Sequence, residues 1–148
     1  MYFSNKFSFF FDNIYIQKKY VNKNITYFKS KEAIVKINSG LIIGTNEYKN
    51  YIDKIFFDYL IKKNICKIDL IDNYYVYYCY NLQFTGQTSQ RYQTINHYEE
   101  FPSLIFNSKI LEFNFELTNK DLFQIIMGRY YFLVIFDMKE NEKWYFFN

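Results

Sequence analysis
Metal ligands are scarce in this chain of 148 residues, which has one histidine, His97, and two cysteines, Cys66 and Cys79. A closed zinc site takes about four ligands, and this set cannot supply them, so no metal and no cofactor is expected. The cysteines read as two partly buried thiols, and their spacing alone does not establish a disulfide. Glycine occurs four times, never in a phosphate-binding loop, and no Ser-His-Asp order appears. No apolar run reaches the ~18 residues that suggest a membrane span, so no membrane is expected. Near the start, Asp12 and Asn13 interrupt before a signal-type apolar core develops. Charge of neither sign accumulates: 18 Lys and Arg against 15 Asp and Glu give a net +3, scattered along the chain. That pattern is a solvated surface and excludes a polyanion footprint, so nucleic acid is not an expected partner.

What is abundant is aromatic: 18 Phe and 17 Tyr. With Asn, Lys and Ile they are residues of AT-rich codons, so the bias reads as genome composition before it reads as aromatic recognition. A chain of this length buries about 68–70% of its unfolded surface, which fits one domain over residues 1–148.

The period of apolar residues assigns a mainly β chain with one main helix. Phe7–Gln17 reads as a strand pair broken near Asp12-Asn13, onto which Asn24–Phe28 could pair. Ala33–Ile37 is a strand entering a polar turn, and Leu41–Ile43 leaves it, closed by Gly44. Tyr48, Tyr51, Ile52, Ile55, Phe56, Tyr59 and Leu60 then fall on one face of a helix over Thr45–Lys63. Thr45 is placed to cap it, Glu47 lies in its first turn, and Lys62 and Lys63 lie at its end. Extended runs follow over Lys67–Ile71 and Tyr74–Tyr80, parted by Asp72-Asn73. Leu82–Glu100 is polar, contains His97, and reads as an insertion. Ile110–Leu117 alternates, with Leu111, Phe113, Phe115 and Leu117 on the buried face. The close acidic pairs, Asp69 with Asp72, Glu99 with Glu100 and Asp137 with Glu140, read as solvated turn residues.

The segment Ala-Ile-Val-Lys-Ile-Asn-Ser-Gly-Leu-Ile-Ile-Gly, positions 33–44, resembles the active-site loop of the C-terminal lobe of pepsin-like aspartic proteases. That family has Ala-Ile-Val-Asp-Ser-Gly-Thr-Ser-Leu-Ile-Ile-Gly or a close variant. Further matches follow in order: Asp12-Asn13-Ile14-Tyr15-Ile16 before the loop, then, after it, a helix, Cys79, Phe101-Pro102-Ser103-Leu104-Ile105-Phe106, and the short helical turn Thr118–Leu122. Ile125-Ile126-Met127-Gly128 and Val134-Ile135-Phe136-Asp137-Met138 complete the set, with Glu140-Asn141 in the turn that follows.

The resemblance implies a single lobe of the acid-protease β-barrel fold, with short helical turns beside the main helix. It implies an active-site loop at Lys36, Ile37, Asn38, Ser39 and Gly40, with Ile126, Met127 and Gly128 packing behind it. It places Lys36 where the family has its catalytic aspartate; a shifted alignment places Asn38 there. Neither residue is an acid, so an aspartic-type endopeptidase that is catalytically inactive as this chain is expected. The family's downstream cysteine partner is missing, which leaves Cys66 as its substitute or Cys79 free. The expected partner is an N-terminal lobe or another protein chain, with a peptide substrate only where an active lobe joins it. The family's usual compartment is secretory or lysosomal. The competing reading is a non-catalytic structural or interaction protein, or a β-rich subunit of a larger assembly.

Overall fold
The computed structural model describes residues 6–17, 25–29, 32–36, 41–80, 101–109 and 112–147. The expected insertion over Leu82–Glu100, with His97, lies outside them, as do Ile37, Asn38, Ser39 and Gly40. The chain is mainly β with one main helix. The first strands are β1 (Lys6–Phe10), β2 (Asn13–Gln17), β3 (Ile25–Tyr27), β4 (Glu32–Lys36) and β5 (Ile42–Gly44). The helix runs as α1 (Asn46–Ile52), a π-helical turn (Asp53–Phe57) and α2 (Asp58–Lys62). Then come β6 (Cys66–Ile71), β7 (Tyr74–Tyr80), β8 (Ser103–Ser108), β9 (Phe113–Leu117) and the short α3 (Asn119–Leu122). The last strands are β10 (Phe123–Ile126), β11 (Arg129–Phe132), β12 (Val134–Asp137) and β13 (Trp144–Phe147).

The helix starts where the sequence places its cap: the Tyr48 N–H donates to Thr45 Oγ1 at 3.2 Å. Its middle departs from a plain α stripe. The Asp58 N–H reaches back to the Asp53 carbonyl, one residue further than in an α-helix. The extra residue widens the buried face, so Phe57 joins Ile55 and Phe56 inside. Phe57 then stacks on Tyr77 of β7, with ring centroids 4.1 Å apart.

A large sheet runs β1-β4-β13-β5-β12-β7-β11-β10, with β6 also paired to β7. A second runs β3-β2-β8-β9. β1 and β2 therefore do not form the expected strand pair. At the bend between them the Asp12 N–H donates to the Asn107 carbonyl at 2.8 Å, and the Asp12 carboxylate accepts from the Lys109 N–H. These bonds fasten β2 to β8, and β1 pairs with β4 in the other sheet. β3 does pair with β2, as expected.

The large sheet is mixed. β13 lies between β4 and β5, parallel to the first and antiparallel to the second, and β12 runs parallel to β5. The core lies between the helix, the large sheet and the second sheet. Trp144 is its hub, with Tyr48 5.1 Å, Phe106 5.2 Å and Phe28 6.0 Å away between centroids. Tilted and edge-on rings recur through it, the arrangement that the aromatic quadrupole favours.

Cys66 and Cys79 face each other across β6 and β7 and are joined by a disulfide. This overturns the reading as thiols. The antiparallel register sets the two residues opposite one another, which a spacing of thirteen residues does not reveal.

Candidate functional site
Lys36 is the last residue of β4, in register with Lys6 of β1 on one side and Phe147 of β13 on the other. β5 begins again at Ile42 on the far side of β13. The two apolar runs that flank the expected loop are thus strands of one sheet with the C-terminal strand between them.

Ile126, Met127 and Gly128 end β10 and begin its hairpin, and Ile126 lines a groove with Leu41, the residue that follows the expected loop; residues 37–40 themselves lie outside the described residues. Met127 and Gly128 form the turn of the β10–β11 hairpin, with φ of 50° and 76°. Positive φ at both central residues is the type I′ pattern that suits hairpin twist. Met127 is 98% exposed and Ile126 46%. A Gly in the second turn position between two apolar runs was the available signal.

The turn after β12 does hold the helix start in place. Asn141 donates from its backbone to Asn46 Oδ1 at 3.0 Å and from Nδ2 to the Gly44 carbonyl at 3.1 Å. Asn46 returns a bond to the Asn141 carbonyl at 2.9 Å. One asparagine therefore ties β5, α1 and the approach to β13 together.

The acidic residues act as turn and anchor groups. Asp137 Oδ1 accepts from the Lys139 N–H at 3.0 Å, and Asp72 lies in the β6–β7 turn. Asp69 differs from the expectation, since it lies within β6 opposite Val76. Glu99 and Glu100 lie outside the described residues.

Among the described residues, one partly buried ionic cluster is a feature that the sequence reading missed. Asp53 accepts from Lys49 Nζ at 2.8 Å and from the Tyr77 hydroxyl, joining α1, the π turn and β7. Lys49 Nζ also sits 5.3 Å from the Tyr75 ring centroid. Burial first, and then the hydrogen bond to Asp53, push the Tyr77 phenol well above its ordinary value. The i, i+4 spacing of Lys49 and Asp53 was legible, but the tyrosine came from another element.

On the opposite face of β7 lies an apolar groove of ≈ 480 Å³, reached by Leu41, Ile43, Val76, Ile126, Tyr131 and Ile135. No protein-family model matches the chain, and no curated protein matches it.

Proposed function
We propose that the chain is a catalytically inactive lobe of the pepsin-like aspartic-protease kind, which works by engaging another protein chain and does not cleave peptides itself. The observation that carries this reading is Lys36, a lysine ending β4, where the resemblance calls for the catalytic aspartate. Pepsin-like catalysis needs two carboxylates close enough to share a proton, one activating water and one protonating the substrate carbonyl. An ammonium reverses the sign at that point, and a second copy of the chain brings only a second lysine. Two further facts support the reading. The segments that carry the resemblance, Ile42–Gly44 and Val134–Asp137, are adjacent strands of one sheet. The Cys66–Cys79 disulfide also fits the oxidising compartment that the resemblance implies.

A second reading, a structural or interaction protein with no protease ancestry, is favoured by exposed apolar residues on β6 and the β10–β11 hairpin. Leu70, Ile71, Ile125 and Met127 are each half exposed or more, as at surfaces that meet partners. The decisive experiment incubates the folded chain with a broad peptide library across acidic pH, with and without a transition-state inhibitor of aspartic proteases. No cleavage above background is expected. Inhibitor-sensitive cleavage overturns the inactive-lobe reading.

A further inference from the structure
The apolar groove has a direction. Its walls come from β5, β7, β10, β11 and β12, and its ≈ 480 Å³ falls within the ~300–1,000 Å³ of small-ligand sites. Charge stands at opposite ends. Asp72, in the β6–β7 turn, lies at one end. At the other end, just outside the lining, Arg129 pairs across the hairpin with Ile126, a groove residue, and on its other side with Tyr80 of β7.

The Arg129 guanidinium rests 5.2 Å from the ring centroids of both Tyr78 and Tyr80. Lys67, opposite Tyr78 in β6, holds its ammonium 5.6 Å from the Tyr80 centroid. The ion pairs among the described residues are Lys49–Asp53 and Lys143–Glu32, so neither cation is neutralised there by a carboxylate. Asp69, two residues along β6 from Lys67 and opposite Val76, acts on the Tyr78 phenol but makes no ion pair with Arg129 among the described residues. The rings hold the cations in place beforehand, which lowers the ordering cost of binding an anion.

We propose that this groove binds a long-chain carboxylate, a fatty acid, with its tail along Val76, Ile135 and Ile126 and its head on Arg129. Asp72 repels a carboxylate from the far end, and Arg129 and Lys67 attract it to theirs, so the ligand has one orientation. The face of β7 from Tyr74 to Tyr80 spans about 20 Å, room for an extended chain. Lys36 is not among the groove's lining residues, and the proposal does not depend on whether the chain cleaves peptides.

The test is calorimetric titration of the full chain with dodecanoate below its micelle concentration, beside dodecanol, which shares the tail and lacks the charge. Saturable binding of dodecanoate, about tenfold or more tighter than dodecanol, is expected. Arg129→Gln, at an exposed position, is expected to narrow the gap between dodecanoate and dodecanol, with Lys67 keeping part of it; a variant with the full gap of the unmodified chain overturns the placing of the head on Arg129. No saturable binding of dodecanoate overturns the proposal. Equal affinity for acid and alcohol in the unmodified chain also overturns it, whatever the variant does.

Discussion
Gly44 sits opposite Phe136 in the parallel pairing of β5 with β12. A Cβ built there would lie 2.6 Å from Phe136 Cε1 and 2.8 Å from Val134 Cγ1. Both neighbours are fully buried in the core and have no room to withdraw. Gly44→Ala is therefore expected to cost about 1–3 kcal/mol by overpacking, read as a lower urea midpoint with an unchanged slope. A midpoint equal to that of the unmodified chain would show that the two strands do not approach this closely. The sequence offered Gly44 only as the end of a Leu-Ile-Ile-Gly run. What makes it necessary is a strand ninety residues away, and no local pattern carries that information. Lys36 is the contrary case, since its position at the end of a strand entering a polar turn was legible from the apolar flanks alone.

At the scale of elements, what was legible follows the range of the interactions. The helix was readable because its apolar period and the Thr45 cap are local. Its π turn was not, because it is tied to Phe57 stacking on Tyr77 and Asp53 reaching the same tyrosine, both in a strand that forms later in the chain. The resemblance alone assigns Ile126, Met127 and Gly128 to the back of the loop; the hairpin turn sets Met127 out to solvent, and the loop lies outside the described residues. The disulfide belongs to this scale as well. It joins the start of β6 to the end of β7 across a sequence separation of 13. A 15-residue loop corresponds to about 3 kcal/mol in the chain-entropy account. The double variant Cys66→Ala, Cys79→Ala is expected to lose roughly that much in urea unfolding. Because both cysteines are buried, reductant alone is expected to leave the bond intact until denaturant is added. Rapid reduction in native buffer would contradict the burial of this strand pair.

For the whole molecule, a core built from aromatic residues has an electrostatic consequence at high pH. Burial holds the Tyr48 phenol well above its ordinary value, and burial together with Asp53 does the same for Tyr77. In the unfolded chain both release their protons near pH 10. A folded-state pKa raised above the unfolded one means that the native state keeps protons the unfolded state has lost. Stability therefore does not vary with these groups below about pH 9. Above about pH 10 it falls by about 1.4 kcal/mol per pH unit for each tyrosine, so by about 2.7 for the pair. Urea midpoints taken from pH 7 to 11.5 are expected to be flat and then to drop steeply. Tyr48→Phe and Tyr77→Phe should each remove about half of this extra slope, and they should differ at neutral pH. The Tyr48 hydroxyl is buried with no hydrogen-bond partner among the described residues, so its removal is expected to be neutral or stabilising. Removing the Tyr77 hydroxyl strips a donor from Asp53 and is expected to destabilise. An alkaline slope that neither variant reduces would mean that these two phenols reach solvent in the folded protein. The core would then not be sealed between helix and sheets around Trp144 as its ring contacts require.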